Sequence, residues 1–158
     1  MTRERFISEV RACQGRLRRF LISLCGDAAL ADDLAQEALV RAYVNSGRFV
    51  GNLKAWVFRI AYNCFIDNLR RVPAPSAGLD SPEALHVADG SASDASFRHE
   101  ELRRALTRIP EKERTAIVLH YFEDLPVKEI SSIMQIPAGT VKYHLSVGRD
   151  HLRQYIRL

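Results

Sequence analysis

From Leu53 to Arg71 apolar side chains recur at steps of three and four, and Pro73 and Pro75 close the run. The spacing predicts one helix of about five turns, ended where proline removes a donor and restricts the residue before it. Val57, Phe58, Ala61, Cys64, Phe65 and Leu69 fall on one broad side; Trp56, Arg59, Asn63, Asp67 and Arg70 fall on the other. The unusual member is Trp56, an indole within a polar, partly basic stripe. An aromatic plate beside guanidinium groups and an amide suits single-stranded nucleic acid, where rings stack on bases and Arg holds phosphate. Equally open is a bundle helix whose Trp covers a neighbouring loop.

The residues before this helix also read as helical. Residues 3–25 put Phe6, Val10, Leu17, Leu21 and Leu24 on one face, with Arg11, Arg18 and Arg19 nearer the other, the pattern of a single amphipathic helix. Gly26 fits a left-handed C-terminal cap and Asp27 an N-cap. A second helix, Ala28 to Val44, turns Leu34, Ala35, Ala38, Leu39 and Ala42 inward, while Asp33, Gln36, Glu37 and Val40 cluster elsewhere. That acidic stripe is either a solvated face, which spacing alone favours, or a dock for a basic protein. A loop, Gly47 to Asn52, leads into the long helix.

After Pro73 the character changes. Residues 72–97 contain no Lys or Arg, four acidic residues, and many Pro, Ala, Ser and Gly, which predicts a flexible linker and a domain boundary. Residues 1–71 carry 12 basic and 7 acidic side chains, and residues 98–158 carry 11 and 8. Two basic blocks flanking an acidic connector fit two modules acting on one polyanion.

In the second block Leu102, Ala105, Leu106 and Ile109 share a helical face, Pro110 starts a new helix, and Ile117, Val118, Tyr121 and Phe122 are its predicted core positions. VKEISSIM then forms a short helix, Gln135-Ile136-Pro137 a turn, and a last helix runs to about Tyr155. Residues 127–152 have helix-turn-helix spacing. Ile130, Ile133 and Ile136 pack the corner, and Val141, Leu145, Gly148 and Leu152 line the inner face of the second helix. Gly139, Lys142, Tyr143, Ser146 and Arg149 then look toward a groove. A generic three-helix core has a similar pattern; the small residues Ser131 and Gly139 at their offsets favour DNA binding.

Composition narrows the rest. The chain has 158 residues, 47% hydrophobic and 27% charged, as in soluble globular proteins. No apolar run approaches the ~18 residues of a membrane span, and MTRERFISEVR lacks a secretory apolar core, so the expectation is a cytoplasmic protein without membrane insertion. Cys13, Cys25 and Cys64 are odd in number, sit within helical apolar patterns and lack CxxC spacing, which predicts free buried thiols. No metal, no cofactor and no small-molecule substrate are expected, because no cluster of nucleophile, base or metal ligands is visible.

Ala31-Asp32-Asp33-Leu34-Ala35-Gln36-Glu37-Ala38, followed by Lys54-Ala55-Trp56-Val57-Phe58-Arg59-Ile60-Ala61 and Asn63, resembles region 2 of bacterial sigma factors. Ile109-Pro110-Glu111-Lys112-Glu113-Arg114, then Leu125 to Lys142, resembles region 4. Two such regions joined by a short linker resemble an extracytoplasmic-function sigma factor. The resemblance implies an all-α fold of two small helical domains, region 2 in residues 1–71 and region 4 in residues 98–158, with the linker at 72–97. It implies a dissociable, non-enzymatic subunit that directs promoter recognition, DNA melting and transcription initiation. Asp32, Asp33, Gln36, Glu37 and Val40 would bind the β′ clamp helices of core RNA polymerase, displacing the solvated-face reading; the β flap is a further implied contact.

Arg48, Phe49, Asn52, Lys54, Trp56, Arg59, Asn63, Arg70 and Arg71 would recognise and open the −10 element of promoter DNA. Gly139, Thr140, Lys142, Tyr143, Ser146 and Arg149 would read the −35 element. An anti-sigma factor is an implied partner, and the linker would thread toward the RNA exit channel. Its 26 residues reach ~85 Å when extended, against ~70 Å for two turns of duplex.

The chain departs from the family in places. His144 and Val147 stand where Arg is common, leaving a less basic reading helix with a weaker phosphate contribution. Gln135 replaces the usual turn Gly, and Pro126 a capping Ser. Two other readings compete with this one. A sigma-like decoy that sequesters an anti-sigma factor would be expected to carry a receiver domain; a helix-turn-helix repressor leaves the acidic stripe and the first block unexplained.

Overall fold

The computed structural model describes residues 2–49, 51–71 and 94–156, without the side chains of 94–99, and all regular structure in them is helical. The first module comprises α1 (Arg3–Ala12), α2 (Gln14–Cys25), α3 (Ala28–Val44) and α4 (Leu53–Arg71). The second comprises α5 (Asp94–Arg108), α6 (Glu111–Ile117), α7 (Val127–Met134) and α8 (Ala138–Arg153).

The single amphipathic helix expected over 3–25 is instead two. At Cys13 the backbone N–H is shared between the carbonyls of Glu9 (3.3 Å) and Val10 (3.1 Å), a tightened turn next to Gly15, the weakest helix former in the run. Phe6, Val10, Leu17, Leu21 and Leu24 stay buried across the joint, so the face survives the kink. Gly26 closes α2 at φ 70°, and the Asp27 carboxylate accepts from the N–H groups of Ala29 (3.0 Å) and Leu30 (3.2 Å). Alanines 31, 35, 38 and 42 are buried on α3; their short side chains let α2 and α4 approach closely. Ser46–Arg48 is one 3₁₀ turn, Gly51 takes φ 90°, and Asn52 caps α4 by accepting from the Ala55 N–H at 3.2 Å.

α4 occupies its predicted span and buries Val57, Phe58, Ala61, Cys64 and Phe65. Leu69, placed with them by the helical wheel, is 46% exposed because it lies in the last turn, where the helix outruns its cover. Tyr62, on neither predicted face, is buried, because the second module covers it. α5 begins at Asp94, inside the stretch read as linker; the remainder of that stretch, residues 72–93, lies outside the described residues.

In the second module α6 does not continue as α-helix. Val118–Phe122 is a π-helical turn, with the Glu123 N–H reaching back five residues to the Val118 carbonyl at 3.2 Å. The extra residue rotates the chain beyond it. Ile117, Val118 and Leu119 are buried, but Tyr121, predicted as core, is 47% exposed. α7 and α8 form the helix-turn-helix. Gln135 holds φ 56°, ψ 46° at the turn, and the Ser131 hydroxyl donates to the Ile136 carbonyl at 2.5 Å. Gly148 lets α8 approach α6 closely: a Cβ there would lie 2.6 Å from Ile117 Cδ1 and 3.2 Å from Glu113 Cβ.

The modules touch along α4 with α7 and along α2 with α5 and α6, and one apolar core runs through both. Among the described residues three polar contacts cross the junction. The Lys54 ammonium donates to the Glu123 carbonyl at 2.6 Å and lies 3.6 Å from its carboxylate. The Tyr62 hydroxyl donates to the Glu111 carboxylate at 2.8 Å. The Arg114 guanidinium gathers the carbonyls at the end of α5, Leu106 at 2.7 Å and Ile109 at 3.0 Å, and also reaches the Leu24 carbonyl of α2.

Candidate nucleic-acid and polymerase interfaces

Three surfaces carry the predicted site residues. On α3, Asp33 and Gln36 are exposed and Val40 is 61% exposed. Asp32 and Glu37 are half-buried and already paired: Asp32 with Arg18 at 2.7 Å, and Glu37 with Arg41 at 2.6 Å, whose guanidinium also reaches Asp67 of α4 at 3.4 Å. The stripe therefore divides into outward groups and groups that fasten α3 to α2 and α4. Spacing alone could not make that division: Arg18 lies on α2, and Arg41, one turn along α3 from Glu37, is itself tied to Asp67 on α4. Tyr43 and Val44 extend the exposed apolar surface, and Arg3 lies over the Tyr43 ring. Beside them a cleft of about 580 Å³ opens between α1 and α3, lined by Phe6, Ile7, Val10, Arg11, Leu39 and Tyr43.

The second surface runs along α4 from the loop before it. Arg48, Asn52, Arg70 and Arg71 are exposed; Phe49, Lys54, Trp56, Arg59 and Asn63 are half-buried. Trp56 meets the rings of Phe6 (5.9 Å) and Phe49 (5.5 Å) edge-on, and these two rings lie 6.1 Å apart. This three-ring cluster ties α1, the loop and α4 together, so the packing reading of Trp56 has concrete contacts. Lys54 sits at the module junction under Glu123, apart from the exposed guanidinium groups of Arg70 and Arg71.

The third surface is α8. Gly139, Lys142, Tyr143, Ser146 and Arg149 are exposed and Thr140 is half-buried, opposite buried Val141, Leu145 and Gly148. Arg149 donates to the Tyr121 hydroxyl at 2.8 Å. The Glu113 carboxylate, buried beneath α8, accepts from His151 Nδ1 at 2.5 Å and so fastens the helix to α6.

Burial accounts for the titration behaviour. All three cysteines are free thiols; Cys64 is buried, whereas Cys13 and Cys25, expected to be buried, sit at helix ends and are half-buried, and desolvation pushes Cys25 and Cys64 up to about 11. Burial and the Glu111 carboxylate raise the Tyr62 phenol well above its usual range. Burial also raises the Glu123 carboxyl, against the opposing pull of Lys54, Arg16 and Arg19. Among the described residues no group of three or more His, Cys, Asp or Glu side chains is arranged to hold a metal ion, and no helix is long and apolar enough to cross a membrane. The junction roles of Tyr62 and Glu123 were missed by sequence reasoning, and Arg114 entered only within the Ile109–Arg114 signature, because their partners lie in the other module.

Residues 10–72 match the family model for Sigma-70 region 2, and residues 99–152 match that for Sigma-70, region 4. The chain is 37% identical to the ECF RNA polymerase sigma factor SigW of Bacillus subtilis over 148 residues, covering 85% of this chain and 79% of that one. It is 32% identical to the ECF RNA polymerase sigma factor EcfG of Rhodopseudomonas palustris, covering 91% and 81%. Its fold superposes with a TM-score of 0.81 on the sigma factor RpoE solved with the anti-sigma factor NepR from Bartonella quintana, at 26% identity and 98% coverage of both chains. An acidic stripe on one helix, a basic aromatic helix and a helix-turn-helix occur here in the order of those two regions: the chain belongs to the extracytoplasmic-function sigma factors, which serve bacterial RNA polymerase in transcription initiation.

Proposed function

We propose that the three surfaces divide the work of a promoter-specificity subunit among named residues. Asp33, Gln36 and Val40 contact the clamp helices of core polymerase, while Asp32 and Glu37 hold α3 in place through Arg18 and Arg41. The observation that supports this division is the ion pairing on α3, which leaves Asp33 as the outward carboxylate. Arg48, Phe49, Asn52, Lys54, Trp56, Arg59, Asn63, Arg70 and Arg71 engage the −10 element, with guanidinium groups on phosphate and rings beside unstacked bases. Gly139, Thr140, Lys142, Tyr143, Ser146 and Arg149 enter the major groove at the −35 element.

Residues 1–71 form one functional module and residues 98–158 the other, with 72–97 between them. With α4 packed against α7, one chain cannot lay both modules on promoter elements two duplex turns apart, ~70 Å. The contacts at Lys54, Tyr62 and Arg114 therefore open when the chain joins the β flap and β′ subunits. The protein acts in the cytoplasm, carries no catalytic activity of its own, and is bound by an anti-sigma factor as RpoE is by NepR. Transcription by core polymerase with the purified chain tests the whole reading. A chain that binds core but gives no promoter-dependent transcripts would favour a sequestering decoy.

A further inference from the structure

We propose that Tyr121 is a positioning residue for −35 recognition, presented to the DNA face by the π-helical turn and acting through Arg149. This rests on the reading that α8 carries the −35 contacts. A regular helix would turn position 121 toward the core, as its apolar neighbours suggest. The π turn over Val118–Phe122 sends it outward instead, 47% exposed. Such one-residue insertions are often found where a side chain must be re-aimed at a functional site.

What Tyr121 meets there is the guanidinium of Arg149, which donates to its hydroxyl at 2.8 Å across 28 residues of sequence. The ring is itself held. His120 stands edge-on to it at 4.9 Å, and His120 Nδ1 donates to the Leu125 carbonyl at 3.1 Å. A chain of contacts thus runs from the turn before α7, through His120 and Tyr121, to the reading face of α8.

The arrangement matters because this face is short of cations. His144 and Val147 contribute no fixed charge, so Lys142 and Arg149 are its basic members between Gly139 and Arg149. An exposed Arg loses considerable rotamer freedom when it closes on phosphate or a base edge. One hydrogen bond to a pinned phenol removes part of that loss beforehand and leaves the other guanidinium donors free for a forked contact.

The test uses the full chain assembled with core polymerase, on the promoter that the wild-type holoenzyme selects from a randomised duplex library. Tyr121→Phe keeps the ring and removes the hydroxyl. It should weaken promoter binding about three- to tenfold with unchanged melting temperature. The log–log salt slope should also stay unchanged, because no charge is lost. Arg149→Ala should weaken binding and flatten the slope by about one unit, and adding Tyr121→Phe to it should weaken binding no further. On a template with a scrambled −35 element neither variant should differ from wild type. Tyr121→Phe binding as tightly as wild type, or adding its full effect to Arg149→Ala, overturns the proposal. If Arg149→Ala itself has no effect, the −35 assignment of α8 fails as well, an outcome distinct from failure at Tyr121 alone.

Discussion

Asp33 and Glu37 are one helical turn apart on α3 and do different things. Asp33 is exposed and has no ion pair among the described residues, whereas Glu37 holds Arg41 at 2.6 Å. Asp33→Lys should therefore abolish binding to core polymerase in a pull-down with an unchanged thermal melt, as expected of a surface substitution. Glu37→Lys should weaken binding and also lower stability by about 0.5 kcal/mol, since it sets two cations at i,i+4. Equal melting temperatures for the two variants would contradict the division. Trp56 carries a sharper alternative. Its edge contacts to Phe6 and Phe49 predict that Trp56→Ala costs about 1–3 kcal/mol, below a fully buried ring because the indole is only half covered. Below its melting temperature the same variant should be deficient in opening duplex promoters and recover on a pre-melted bubble. A stable variant, or one the bubble does not rescue, would remove the packing or the base-capture role respectively.

Among the elements, α3 and α4 were legible to the residue, because capping and breaking residues bracket long periodic runs: Asp27 before one, Pro73 after the other. The kink at Cys13 was not, since both halves bury the same face and only the local pairing of one N–H changes. Nor was the π turn, because periodicity presumes a constant rotation per residue and one inserted residue breaks that premise; Tyr121 was misplaced for this reason. The exposed face of α8 was recoverable because its core positions, Val141, Leu145 and Gly148, fix the opposite face. Two substitutions test this packing. Gly148→Ala places a methyl 2.6 Å from Ile117 Cδ1 and 3.2 Å from Glu113 Cβ; the crowding outweighs the ~1 kcal/mol that Ala gains over Gly in a helix, for a net destabilisation of about 0.5–2 kcal/mol. Gln135→Gly relieves a left-handed backbone at φ 56° and should raise the melting temperature, by about 1 kcal/mol of stability; a fall would mean that the Gln135 side chain contributes more than its backbone loses.

For the whole molecule, the contact between modules was beyond the reach of sequence, since a linker of that length permits both packed and separated arrangements. The junction residues Lys54, Tyr62, Glu111, Arg114 and Glu123 lie in stretches whose patterns are already explained within each module. Glu123 gives the packed arrangement a pH signature. Burial raises its carboxyl above the ordinary carboxylate range, so the folded form binds this proton more tightly than the unfolded chain. Its contribution is present at low pH and is lost as pH rises through the raised value. Wild type minus Glu123→Gln should therefore show a stability difference that moves against the wild type as pH rises above the ordinary carboxylate range. A difference independent of pH would mean that Lys54 fully compensates the buried charge.

In the proposed mechanism, two modules of one chain read two promoter elements while α3 holds the polymerase. The direct measurement is transcription by purified core polymerase, with and without this chain, on a selected promoter whose −10 and −35 elements are intact or scrambled one at a time. Transcripts should appear only with the chain present, fall when either element is scrambled, and disappear with Asp33→Lys. Transcripts that need the chain but ignore the −35 element, or persist with Asp33→Lys, would contradict this division of labour.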